Sequence, residues 1–459
     1  MPAGVFDLRR YHDATKHSAI SVATHRHWLD WSIKPRPFKL YGDLEAIEPP
    51  ADLARLCRLS NGVLRWRRSG DSEAYGFRAA PCTGALYHIE LYLATAPRPD
   101  LSPGLYHYGA HDHALRPLRA GDIRAALFAA TGDFEALQSA PLVFVLTSTF
   151  WRNSWKYQAR AYRHAFWDGG AVLANLLALL AADRTPASVV MGFVDDDVNR
   201  LLGTDGVREA ALALVAVGQG AEPPPPVRAL PELVISTELV SSREVRYAEI
   251  EAAHRATALG SDRDVALWRQ RASRLSQAAP PPISDVPVED AIRRRRSTRR
   301  FVDRPITRRQ LERMIAAAAS SIPGDAFAPL PVEPFLIVNA VEGLEPGLYG
   351  PGLGLIRRGR LRREAGELAL GQALGAEAAV NVYFLADLDA VFERLGERGY
   401  RVAQMAGGIA GERLELAATA LGLGATGLTF FDDGVTAFFE PASAGRQVMY
   451  LAAVGHGQS

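Results

Sequence analysis

Cysteine is nearly absent from this 459-residue chain, which has only Cys57 and Cys82. Two thiols cannot build a disulfide framework or a cysteine-rich zinc module. An excess of charge is also missing: 52 Lys and Arg stand against 51 Asp and Glu, a formal net charge of +1. That balance argues against a global positive field, and no nucleic-acid partner is expected. Long apolar runs are lacking too. The longest, Ala171–Ala182, is interrupted by Asn175 and is too short to span a bilayer, so no membrane partner is expected. The opening residues, Met1 to Asp13, have no apolar centre of the signal-peptide kind, and the expected location is the cytoplasm. What is present is ordinary globular material, 48% hydrophobic and 22% charged. The length suits two or three domains, and 40 Gly with 29 Pro imply many turns.

The chain repeats itself. Glu90–Tyr106 (ELYLATAPRPDLSPGLY) matches Glu333–Tyr349 (EPFLIVNAVEGLEPGLY), 243 positions on, and Pro-Gly-Leu-Tyr recurs without a gap. Each copy reads as a strand, a loop and a turn into a second strand. Tyr162-Arg163 and Gly169-Gly170 lie 238 before Tyr400-Arg401 and Gly407-Gly408, and each pair of glycines opens a helical stretch, Gly170–Ala182 and Ile409–Leu421. Gly192–Asp196 parallels Thr429–Asp433. Apolar strands correspond at Pro141–Thr147 and Val380–Ala386, and again at Ala211–Gly218 and Val448–Gly455. The expected fold class is α+β, with one half over residues 1–222 and a second over 285–459. Residues 223–284 form a connector, bracketed by Glu222-Pro-Pro-Pro-Pro and Ala279-Pro-Pro-Pro-Ile, with helix expected within Ser241–Ser276. Two copies in one chain recreate the symmetric dimer of a single-copy ancestor, an intramolecular pseudo-dimer. Further association into homo-oligomers stays open.

The halves differ where chemistry would sit. The second opens with Arg293-Arg-Arg-Arg-Ser-Thr-Arg-Arg-Phe301, then Pro305-Ile306-Thr307 and Gln310-Leu311-Glu312. This resembles the opening of the nitroreductase-family FMN oxidoreductases. A doubly charged phosphate wants guanidinium forks and a hydroxyl donor. The resemblance implies that Arg295, Arg296, Ser297 and Arg299 hold it, with Arg446 as a late basic ligand. The first half instead carries Arg78-Ala-Ala-Pro-Cys-Thr-Gly-Ala-Leu-Tyr-His-Ile-Glu90. It is similar to a segment of the SagB-type azoline dehydrogenase branch, where this loop reaches across the dimer to the flavin. The similarity assigns Pro81, Cys82, Thr83, Gly84 and Leu86 to the ring-facing loop. Cys82 stands where Ser is usual, and His88 where Pro is usual.

Each half lacks what the other keeps. Pro81–Glu90 maps onto Gly324–Glu333, whose core is Gly-Asp-Ala-Phe, and Lys34–Tyr41 stands where the Arg-Arg-Ser motif would lie. One FMN per chain is therefore expected, in a site with phosphate elements from the second half and the ring loop from the first. The resemblance further implies that a backbone N–H near Thr429 or Phe430 bonds flavin N5. Lys156-Tyr157 is similar to a Lys-Tyr pair implicated in proton removal during azoline oxidation, which names these two as catalytic candidates. The alternative for them, and for Arg160, Tyr162 and Arg163, is packing between the halves.

Two other motifs yield nothing. Gly422-Leu-Gly-Ala-Thr-Gly427 is formally a dinucleotide fingerprint, but a helix precedes it and a strand-like Leu428–Phe431 follows, the reverse of the required order. His107–His113 reads as a surface hairpin, with no metal expected. Three functions remain: dehydrogenation of a small-molecule or peptide-derived natural-product intermediate, NAD(P)H-dependent reduction of nitro groups or quinones with NAD(P)H as a transient donor, and a flavin-free or flavin-sensing scaffold.

Overall fold

A computed structural model describes residues 6–24, 27–68, 74–226, 230–272 and 286–458. In the N-terminal half the sheet runs, edge to edge, Leu115–Ala120, Gly104–Tyr108, Ile89–Thr95, Leu142–Thr149, Glu209–Val217 and Ala187–Val190. The C-terminal half repeats that order with Leu355–Arg358, Gly347–Tyr349, Glu333–Val338, Val380–Ala386, Gln447–Gly457 and Gly424–Gly427. Neighbouring strands are antiparallel in both sheets. The central strands Leu142–Thr149 and Val380–Ala386 are buried at every position, so both faces are covered and neither strand needs polar alternation.

Two 22-residue helices, Ala161–Ala182 and Gly399–Ala420, cross at the middle of the molecule. Their contact is set by Gly170 and Gly408, 238 positions apart. A Cβ on Gly170 would lie 2.6 Å from the Met405 carbonyl oxygen, and one on Gly408 would lie 2.1 Å from that of Trp167. Only glycine lets the two backbones approach this closely. The helical stretch Phe150–Ala182 is long and apolar enough to cross a membrane, yet 83% of its most apolar window is buried inside the protein. Its apolar surface belongs to the core, as in a soluble protein.

Paired ionic contacts join the halves. Arg160 and Arg163 reach Asp432 at 3.0 and 2.7 Å, while Arg398 and Arg401 reach Asp195 at 2.7 and 2.6 Å. Each aspartate begins a helix, Asp432–Phe439 or Asp195–Leu202, where free amides favour negative charge. Helix Leu8–Ala14 closes the first cluster, with Arg163 donating to the His12 carbonyl and to Thr15 Oγ1. Helix Ala248–Ala256 closes the second, with Arg401 donating to the His254 carbonyl and Thr257 Oγ1. His12 and His254 are 242 apart, as are Thr15 and Thr257. The stretch expected as a connector thus carries a second copy of the N-terminal helix.

Other details depart from expectation. Within Ser241–Ala272 lie two helices, Ala248–Ala256 and Asp262–Ala272, parted around Gly260, and residues 273–276 and the proline run Ala279–Ile283 lie outside the described residues. The last-but-one strand is Gly424–Gly427, inside the glycine motif, and Leu428–Phe431 is irregular. His107 is not on a surface hairpin: it sits fully buried on strand Gly104–Tyr108 and bonds Glu90 at 3.0 Å. Trp151, Trp155 and Trp167 are all buried. Arg160 and Arg163 are interface residues, and neither lies on the surface.

Candidate functional site

The loop after strand Tyr75–Arg78 is pinned by one carboxylate of the long N-half helix. Asp168 accepts the Thr83 amide at 2.9 Å, Thr83 Oγ1 at 2.8 Å, Cys82 Sγ at 3.1 Å and His88 Nε2 at 2.7 Å. Asn153 Nδ2 holds the Thr83 carbonyl, and the Tyr75 hydroxyl donates to that of Ala85. Gly84 sits at φ +66°, and a Cβ there would lie 2.7 Å from the Tyr157 hydroxyl, so the turn requires glycine. Pro81 is half-buried, and Leu86 packs with Ile33, Trp151 and Trp155.

Lys156 and Tyr157 end helix Phe150–Tyr157 at this loop. Tyr157 stacks edge-on against His164 at 4.7 Å, and the exposed Lys156 ammonium lies 5.3 Å from the Tyr157 ring centroid. Burial raises the Tyr157 phenol above its ordinary value, and Asp168 and Cys82 push it the same way. At neutral pH Tyr157 therefore keeps its proton and can donate it but not accept one. A proton-accepting base needs a pKa drawn toward neutrality, and for Tyr157 this environment does the reverse.

The C-terminal half meets the loop through Arg295. Its guanidinium donates to the Ala79 carbonyl at 3.1 Å, across the interface. On its other side it lies 3.4 Å from both Glu412 and Glu415, which are one turn apart on helix Gly399–Ala420. All three are buried, and among the described residues Glu412 Oε1 and Oε2, Glu415 Oε1 and Arg295 Nε have no hydrogen-bond partner. Burial raises the Glu412 carboxyl well above the ordinary range; Arg295 opposes that and Glu415 adds to it. Arg295 is thus directed inward.

Ser297 bridges to Ala425 and is half-buried, whereas Arg296 and Arg299 are exposed. Arg65, on the N-half strand Val63–Arg67, lies close to Arg295 and Arg296. Burial lowers its pKa and so does Arg295, while Arg296 is lowered by burial, then by Arg65 and Arg295. Guanidiniums gathered from both halves favour an anion.

Arg446 is not brought to this place. It pairs with Glu333 at 2.8 Å at the start of strand Gln447–Gly457, whereas Phe301 and Val302 pair with Gly457 and His456 at the other end. The length of that strand separates Arg446 from the Arg-Arg-Ser motif. The Phe430 side chain is core. Among the described residues, no acceptor takes the Thr429 or Phe430 amide, while the Thr429 carbonyl and hydroxyl meet Gln372 Nε2.

The pseudo-equivalent place in the N-terminal half is closed. Met191 and Gly192, 237 before Leu428 and Thr429, donate their amides to Asp325 at 2.8 and 2.9 Å. Trp268 packs on Gly192, and Arg269 donates to the Gly192 carbonyl. Asp325 stands 243 after Cys82, so the degenerate loop inserts its own carboxylate.

Asp168, Arg65, Glu412 and Glu415 were missed in the sequence. Asp168 alone left a signal, since an acid inside an apolar stretch such as Phe166-Trp-Asp-Gly-Gly is costly unless partnered.

Comparisons agree with this architecture. The model of the nitroreductase family matches residues 49–219 and 292–456, more than half of the chain, so the protein belongs to that family of oxidoreductases. A protein of Methanocaldococcus jannaschii with a provisional nitroreductase name is 29% identical over 154 residues, which are 33% of this chain and 76% of that one. A crystal structure from Anabaena variabilis, also provisionally named a nitroreductase, is 28% identical with TM-score 0.80, covering 98% of this chain and 99% of the other. A chain of the Escherichia coli microcin synthetase complex, at 20% identity and TM-score 0.32 over 45% of this chain and 74% of its own, is too distant to decide the branch.

Proposed function

We propose that the chain is a cytoplasmic FMN-dependent oxidoreductase with one composite flavin site, which dehydrogenates a small-molecule or peptide-derived natural-product intermediate, as in the SagB-type branch. One observation carries the reading: Arg295 of the phosphate motif donates to Ala79, two residues before the Pro81–Leu86 loop of the other half. The closed Asp325 side supports a single site per chain.

The residues present fit the cofactor. The free Thr429 and Phe430 amides suit an acceptor on its ring edge. The partnerless oxygens of Glu412 and Glu415 suit hydroxyl donors, and Arg65, Arg296, Arg299 and Ser297 suit its phosphate. FMN, when bound, supplies two-electron chemistry that no side chain here can provide. The chain's own residues do the rest. Arg295 joins the halves, the loop is held by Asp168, Lys156 places an exposed ammonium beside it, and Tyr157 keeps a phenol proton at the loop. Burial of Leu86, Trp151 and Trp155 excludes water from that side.

Counting released flavin tests the stoichiometry. Near one FMN per chain is expected, falling in Arg65→Ala and Arg296→Ala but not in Lys34→Ala, whose ammonium lies over the Trp31 and Tyr75 rings. Two per chain, or none after incubation with excess FMN, would sink the reading. For the reaction, Lys156→Ala should lose substrate oxidation by about 100-fold or more, the scale of general acid–base catalysis, with FMN retained. Unchanged turnover would favour the NAD(P)H-dependent reductase instead.

A further inference from the structure

The two departures from the family pattern, Cys82 and His88, converge on one carboxylate. Cys82 Sγ lies 3.1 Å and His88 Nε2 2.7 Å from Asp168 Oδ2, and the three ligating atoms are within 4.8 Å of one another. Thiolate, imidazole and carboxylate together form a donor set for a borderline divalent cation. The surroundings are those of a metal centre. Ser148 Oγ takes the other imidazole nitrogen at 2.8 Å, aiming Nε2 at the cluster. Thr83 anchors Asp168 through its amide and hydroxyl. His88 and Asp168 are buried, while Cys82 is half-buried beside a small cleft lined by Asn61, Ala80, Pro81 and Tyr87. That cleft offers a place for a water as fourth ligand.

We propose that Cys82, His88 and Asp168 bind one zinc-class divalent cation that locks the loop Pro81–Leu86. The hydrogen bonds the ion replaces are the two that the ligating atoms themselves donate, so Thr83 and Ser148 keep their partners. The Cys82 thiol releases its proton to solvent, and the imidazole proton moves from Nε2 to Nδ1, where it is donated to Ser148 Oγ. Thiolate and carboxylate then neutralise the ion, and the buried cluster carries no net charge. Tetrahedral bonds of about 2.0–2.3 Å set ligand atoms roughly 3.3–3.7 Å apart, so the two separations to Asp168 open by roughly 0.2–1.0 Å on binding. The loop is thereby tied to the long helix by a bond network in place of a thiol contact.

Cobalt(II) titration of the full-length protein is the test, because its readout is independent of activity and of bound flavin. One equivalent of Co2+ should produce a thiolate-to-cobalt charge-transfer band with tetrahedral visible bands, both erased by Zn2+. Cys82→Ser, which replaces one small polar side chain with another, should lose the charge-transfer band. His88→Gln should weaken binding at least tenfold, with circular dichroism confirming that both variants fold. Wild-type protein with no thiolate band at saturating Co2+, or a band that persists in Cys82→Ser, overturns the proposal. Neither result alters the flavin count on which the functional reading stands.

Discussion

Replacing Asp432 by alanine is expected to lower the unfolding free energy by about 3–5 kcal/mol, the cost of leaving buried cations uncompensated. Asp432 is 1% exposed and accepts from Arg160 and Arg163, themselves buried between the halves. Removing it strands two guanidiniums and takes away an acceptor of the His17 amide. Asp195→Ala should behave alike, because Arg398 and Arg401 surround it in the same way. Glu345→Ala, which breaks the exposed pair with Arg358, should cost no more than about 1 kcal/mol. Urea midpoints at constant m decide among them, and an Asp432→Ala loss as small as that of Glu345→Ala would refute the interface role. The pH dependence has a fixed sign. Burial alone would raise the Asp432 carboxyl, but Arg160 and Arg163 outweigh it and hold it well below the ordinary range. The folded value lies under the unfolded one, so this contribution is present above about pH 4 and is lost as pH falls further. The wild-type midpoint should drop in that acid range more steeply than that of Asp432→Ala.

Much of this interface was legible. Pro-Gly-Leu-Tyr, the glycine pairs and the Asp195-Asp196 and Asp432-Asp433 pairs announce the repeat, since close helix crossings and helix starts accept few residue types. The second N-terminal helix was not legible, because only the short His-x-Ala-Thr is shared between His12–Thr15 and His254–Thr257. Packing on an aspartate–arginine cluster preserves just those two contacts. The Arg-Arg-Ser run and the Pro81–Leu86 loop were readable as motifs, and their meeting followed from the pseudo-dimer. Arg446 misled because proximity in sequence to the last strand does not say which end of the strand is near. Arg65 stayed hidden in a hairpin whose exposed arginines resemble any solvated face. Glu412 and Glu415 stayed hidden because the helix around them is rich in alanine and leucine. Their partner lies about 120 positions away, and no local pattern reports it.

That buried triad supports the second large effect. Arg295→Ala should cost about 3–5 kcal/mol of stability, because Glu412 and Glu415 lose their counter-charge, and should also abolish flavin retention. The two consequences can be separated. At the matching positions of the N-half helix, 238 residues earlier, stand Ala174 and Leu177, so the fold tolerates apolar residues there. The triple variant Arg295→Met, Glu412→Ala, Glu415→Leu should regain stability to within about 1–2 kcal/mol of wild type, while flavin content stays near zero. The pH profile reports the same cause. Burial raises the Glu412 carboxyl, so its contribution is fully present below the unfolded value near 4.3 and is lost as pH rises through the folded one. The Arg295→Ala deficit should therefore widen from pH 4 to pH 9, and the triple variant should show no such slope. Full flavin occupancy in Arg295→Ala would remove Arg295 from the cofactor site. A triple variant as unstable as Arg295→Ala would mean that the cross-half bond to Ala79, and not charge compensation, is what the molecule cannot lose.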